Sequence, residues 1–158
     1  MSGSAGQAAR ECGACNLCCK LLGISDPQLN KPADTWCPNV KKGAGCGIYE
    51  TRPIQCRAFI CGWLVGAMDD HWRPDRSKMI LSSTDRPDLV LVHVDPSHTG
   101  RWREPRYLND LKALSRRGTT VLIGAGPDSA QIMAFTGEVI EKRRRPELFE
   151  PQGAQASA

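Results

Sequence analysis

The sequence predicts an α+β fold in which a loop-rich, cysteine-bearing half precedes a small, mostly antiparallel ββαββ sheet with one helix. Three observations carry that expectation. All eight cysteines fall between Cys12 and Cys61. The same stretch is broken by Pro27, Pro32, Pro38 and Pro53 and by Gly43, Gly45 and Gly47, which favours loops and short helical turns around a centre over a regular sheet. Beyond Trp63, short apolar runs alternate with turn signals around a single helical period.

Four segments follow. Residues 1–10 are small and polar and are expected to form a disordered lead, and 11–62 is the cysteine-rich region. Residues 63–140 form an α+β region packed on it, and 141–158, with Arg143-Arg144-Arg145 and the ending QGAQASA, is expected to fray. Within the third segment, Ser77–Ser83 (SKMILSS) and Asp88–Val94 (DLVLVHV) flank the turn-prone Thr84-Asp85-Arg86-Pro87 and read as a β-hairpin. Glu104–Arg117 reads as an amphipathic helix, with Tyr107, Leu108, Leu111 and Leu114 at helical spacing and Gly118 as its stop. Thr119–Ile123 is then a strand, Gly124–Asp128 a turn and Gln131–Phe135 another strand, giving the ββαββ order.

A chain of 158 residues corresponds to one domain, or to one domain with a small appendage. No segment approaches the run of about 18 apolar residues that a membrane span requires. The opening MSGSAGQAARECG has no apolar core behind a basic start, so no signal peptide and a cytoplasmic location are expected. In a reducing compartment disulfides do not persist, and clustered cysteines point to metal binding or redox work. A disulfide scaffold would also be expected to staple the whole of so small a chain, yet no cysteine follows Cys61. The formal charge of +4 invites a nucleic-acid partner, but metal ligation deprotonates thiols. Eight thiolates holding two Zn²⁺ would cancel that charge, so the basic excess mostly balances the site and argues poorly for nucleic acid.

The first cysteine group is Cys12-x2-Cys15-x2-Cys18-Cys19. Short C-x2-C steps let thiolates reach one metal or cluster from a tight turn. Adjacent side chains usually diverge, so either Cys18 or Cys19 is expected to serve a second centre or to support the first. The second group is Cys37, Cys46, Cys56 and Cys61. Cys46 lies in the turn Gly43-Ala44-Gly45-Cys46-Gly47, where glycine lets backbone amides approach sulfur. Arg52 and Arg57 flank Cys56 and would offset thiolate charge. Single cysteines are most often small buried hydrophobes, but two groups of four within fifty residues argue against that for the set.

The combined pattern resembles the YkgJ-like family of bacterial cysteine-cluster proteins, described as zinc- or iron-chelating. The likeness rests on Cys12–Cys19, on Cys37-Pro38, and on Gly45-Cys46-Gly47-Ile48-Tyr49-Glu50 running into Arg52-Pro53-x-x-Cys56-Arg57-x-Phe59-x-Cys61. It covers residues 11–63 and implies bound zinc or an iron–sulfur cluster. Flagellin lysine methylases carry a similar motif in longer chains. All-sulfur ligation suits zinc and iron–sulfur centres alike. The serial C-x2-C-x2-C step is closer to cluster-binding runs than to zinc fingers, so an iron–sulfur cluster is the expected cofactor and zinc or iron ions the alternative.

The remaining candidates have plainer readings. Val121-Leu122-Ile123-Gly124-Ala125-Gly126-Pro127 has a strand and G-x-G but no third glycine or following helix, so a hairpin turn is favoured over a nucleotide site. His71, His93 and His98 are scattered, and Ser97 beside His98 does not make a triad. Trp63, Trp72 and Trp102 could stack on bases but read as anchors between the two halves. The expected function is a metal-binding protein acting in electron transfer, metal handling or support of a partner enzyme. The alternatives are a redox or methylase-like enzyme using the cluster and a zinc-stabilised nucleic-acid-binding module.

Overall fold

From Cys18 to Leu21 the chain makes a single helical turn, α1, held by Leu17 and Leu21, which are four residues apart and both buried. The structure is a computed structural model and describes residues 15, 17–41, 45–54, 56, 59, 61–142 and 144. The expected lead at 1–10, Cys12, Arg57 and most of the expected tail lie outside these residues. Strands β1 (Ile24–Asp26) and β2 (Leu29–Lys31) pair antiparallel around Pro27 and Gln28, whose amide donates to Asp26 Oδ1 at 2.9 Å. β3 (Val40–Lys41) pairs with β4 (Gly45–Cys46). Two short ladders thus run through the segment expected to consist of loops and short helical turns. Its prolines fall between or just outside the strands, where they remove no ladder donor.

The second part begins with α2 (Pro74–Ser77), followed by β5 (Met79–Ser83) and β6 (Leu89–Val94) as an antiparallel hairpin. Helix α3 (Pro105–Arg116) starts on Pro105, whose fixed φ and missing amide hydrogen suit the first helical position. It ends before Gly118, at φ +102°. β7 (Thr120–Ala125), β8 (Asp128–Ile132) and β9 (Val139–Lys142) complete a five-stranded sheet in the order β5-β6-β7-β8-β9. Every pairing in it is antiparallel except β6 with β7, because α3 carries the chain back to the starting end before β7 begins. The architecture is therefore mixed α and β, with small, largely antiparallel sheets and few helices.

Two boundaries differ from expectation. β7 continues through Gly124 and Ala125, so the turn is only Gly126-Pro127, and β8 spans 128–132 rather than 131–135. Gly126 has φ +67° and Pro127 bars positive φ, which matches a II′ hairpin turn. Strand β9 was not expected, and it takes in Glu141 and Lys142 from the supposed frayed tail. It is a mostly exposed edge strand, so it carries no apolar run to announce it, and an Arg103–Glu141 ion pair and its ladder to β8 hold it.

One face of the sheet packs on α3. Tyr107 and Leu111 are buried against a cluster that includes Val92, Val94, Val121, Ile123, Ala130 and Ile132. Trp63, Trp72 and Trp102 are buried in the same cluster, which removes them as base-stacking surfaces. Leu17, Leu21 and Cys61 join it too, so one continuous core reaches from the sheet to the cysteine-bearing segments. Among the described residues no helix is long and apolar enough to cross a membrane.

Candidate metal centre

Turn α1 presents Cys18 and Cys19 between its two buried leucines. Cys18 packs partly against the core. Its side chain also hydrogen-bonds to that of Cys19, so the two do not diverge as adjacent residues usually would. That bond, with the Lys31 and Arg52 charges behind it, outweighs burial and brings the Cys19 thiol down to about 7. The Cys19 carbonyl accepts from the Cys37 amide at 2.8 Å, tying α1 to the next cysteine.

Cys37 is buried, and it opens a tight turn in which its carbonyl accepts from Val40 at 3.2 Å. The Asn39 amide points at the Cys37 Sγ at 3.4 Å, an N–H···S contact of the kind that stabilises a thiolate. Cys46 lies on β4 opposite Val40. The Gly47 amide donates to the Asn39 carbonyl at 2.7 Å, and a Cβ on Gly47 would come within 2.9 Å of that oxygen. Glycine thus serves a backbone-to-backbone approach here; the amide aimed at sulfur comes from Asn39 instead.

Cys56 completes the group. Burial raises its thiol pKa, as do the charges of Cys19, Cys37 and Cys46, while Arg52 acts in the opposite sense. Four thiols from separate stretches therefore occupy one electrostatic neighbourhood. The other described cysteines sit apart in role. Cys15 accepts backbone hydrogen bonds from Leu17 and Asp75, with burial raising its pKa and Arg73 opposing. Cys61 is part of the apolar core. This arrangement cuts across the two sequence groups of four. Among the described residues, no three His, Cys, Asp or Glu side chains are drawn in around a single ion.

The charges of two cations bear on the thiols. Arg52 stacks on Tyr49, its guanidinium carbon 3.8 Å from the ring centre, and its Nε donates to the Tyr49 carbonyl at 3.0 Å. Lys31, which sequence reasoning passed over, is only 3% exposed. Its Nζ donates to the carbonyls of Lys20 at 3.3 Å and Pro32 at 3.0 Å and to that of Leu22. Burial lowers its pKa, and the charges of Cys37, Cys19, Asp34 and Cys18 pull it back up. Pro32 gives the one sequence clue, since a residue before proline is held extended. Asn39 and the pair Lys20–Asp95, at 2.8 Å, were likewise not singled out.

The histidines serve elsewhere. His71 Nε2 lies 2.8 Å from Asp110 Oδ2, which also accepts from Trp72 Nε1 at 2.8 Å. His93 is buried on β6 with Nε2 3.0 Å from Ser82 Oγ. His98 Nδ1 lies 3.9 Å from Asp95 Oδ2. The G-x-G of Gly124 and Gly126 is strand end and hairpin turn. Chemically the thiol group suits a soft metal: sulfur donors, an amide aimed at one of them, and two cations to offset their charge. Comparison with family models, with characterised proteins and with solved structures found no match.

Proposed function

We propose that this is a metal-binding cysteine-cluster protein that holds an iron–sulfur cluster, or zinc or iron ions on the same donors. Its role is electron transfer, metal handling or support of a partner enzyme. The observation that supports this reading is that the charges of Cys19, Cys37 and Cys46 bear on the Cys56 thiol, while those of Arg52 and Lys31 oppose them at Cys56 and Cys19 respectively. An isolated structural cysteine needs no such counter-charges; a set of thiolates does. The YkgJ-like motif pattern supports the same conclusion. On this reading residues 11–62 form a loop-rich metal-binding region packed on the α+β region, and the metal contributes directly to its folding.

The test is anaerobic purification of the full chain followed by iron, acid-labile sulfide and zinc analysis with a visible spectrum. Iron with matching sulfide and broad visible absorption is the expected result. A colourless protein with stoichiometric zinc assigns the ion instead. A full chain that takes up neither, even after reconstitution with iron and sulfide or with zinc, overturns the reading.

A further inference from the structure

The five-stranded sheet has a second face, opposite the one that packs on α3. Val92, Ile123 and Ala130 belong to the main core on the α3 side. Side chains alternate along a strand, so Leu89 and Leu91 of β6, Leu122 of β7 and Ser129 of β8 share the other side. There Leu89, Leu91 and Leu122 form a separate apolar cluster that no other apolar residue among those described joins. Neighbours within one sheet leave the tips of such side chains open, yet these three are only 8%, 4% and 7% exposed. Ile140, on the same side at the β9 edge, is 43% exposed. The face is therefore covered at its centre and open at its edge. Ser129 shows where the cover comes from: its Oγ donates at 3.0 Å to the carbonyl of Arg144, the last of the described residues. β9 ends at Lys142, opposite Ser129, and this bond turns the chain over the leucine-bearing side.

We propose that the segment Arg145-Pro146-Glu147-Leu148-Phe149-Glu150 is the cover of this face, with Leu148 and Phe149 seated on Leu89, Leu91 and Leu122. The cover does not depend on the metal-binding reading. Leu148 and Phe149 are the only large apolar residues after Arg144. Strands lie about 4.8 Å apart and residues two apart on one strand about 6.6 Å. By the register, Leu122 is then about 8 Å from Ser129 and Leu91 about 12 Å. The four residues from Arg144 to Leu148 span about 13 Å when extended, so the reach suffices. Pro146 favours that extension, because the residue before a proline is biased away from helix. A second copy or another protein would need the leucines bare in the single chain, and they are buried there.

The experiment puts the photoreactive p-benzoyl-phenylalanine in place of Phe149 in the full chain, irradiates it in dilute solution and maps the adducts by mass spectrometry. The expected result is adducts within single chains, on the peptides that carry Leu89 to Leu91 or Leu122. Adducts only between chains would seat a second copy on the face and overturn the proposal. So would adducts confined to other parts of the chain, or none. A second measurement combines Leu148→Asn with Phe149→Asn. It should raise the fluorescence of a surface-binding hydrophobic dye severalfold and lower the thermal midpoint by about 5 °C or more, while Phe149→Leu stays near wild type. Wild-type dye binding and melting in the doubly substituted chain overturn the proposal.

Discussion

Lys20 Nζ lies 2.8 Å from Asp95 Oδ1 and joins the cysteine-bearing turn to the end of β6, 75 residues away. Both side chains are largely buried, and the Ser97 amide donates to the same oxygen at 2.9 Å. Burial works to raise the Asp95 pKa. The hydrogen bonds from Lys20 and Ser97 and the charges of Lys20 and His98 nevertheless hold it below its ordinary value of 3.8. A carboxylate depressed in the folded state stabilises above its unfolded pKa, and that stabilisation is lost as pH falls through the folded value. Asp95→Asn should therefore cost about 3 kcal/mol at neutral pH, with the deficit shrinking in acid. Urea denaturation of both proteins across that range checks this; an equal deficit at every pH would contradict it.

Cys37→Ser and Cys61→Ala should behave oppositely. Cys37 sits with the convergent thiols under the Asn39 amide, while Cys61 fills the apolar core. The first substitution is expected to abolish stoichiometric metal. The second should keep the metal and lower stability by about 1 kcal/mol through lost packing. Metal per chain, measured beside a thermal melt, separates them; equal metal loss in both would place Cys61 among the ligands.

Gly47→Ala should loosen the centre without touching a thiol. Its added Cβ would lie 2.9 Å from the Asn39 carbonyl and would force apart the backbone contact that braces the Cys37 turn. The expected cost is about 1–3 kcal/mol, concentrated in that segment. Metal release to a chelator should quicken, while the thermal transition of the sheet changes little.

Asp110→Ala should destabilise the sheet region by about 1–3 kcal/mol, because it strands the indole N–H of a tryptophan that is 1% exposed. Trp72→Phe removes the donor together with its need, so adding Asp110→Ala to it should cost less. A double-mutant cycle read by chemical denaturation checks that coupling.

The sheet was legible wherever burial imposes a pattern. MILSS and LVLVHV declare β5 and β6, and Tyr107 with Leu111 declares the inner face of α3. β9 was not, because an exposed edge strand needs only its ladder. The cysteine grouping was read from spacing, and spacing says little about where side chains go. Leu17 and Leu21 set the rotation of α1, and the Cys37 turn then meets Cys19 through a backbone bond that leaves no mark in the sequence. Lys31 was hidden for a related reason. A lysine is ordinarily solvent-exposed, and its burial depends on three carbonyls that only the folded chain assembles.

The single parallel pairing in the sheet sets the order in which the chain can assemble. The β5–β6 hairpin and the β7–β8–β9 meander each rest on contacts between near neighbours and can form as soon as their residues leave the ribosome. Joining them requires the intervening stretch, with α3 already coiled, to bring Thr120 back beside Leu89. Until then β6 has an open edge and the apolar flank of α3 has nothing to cover it. That interval is when a nascent chain would be most exposed to aggregation, and it falls after every cysteine has already been synthesised.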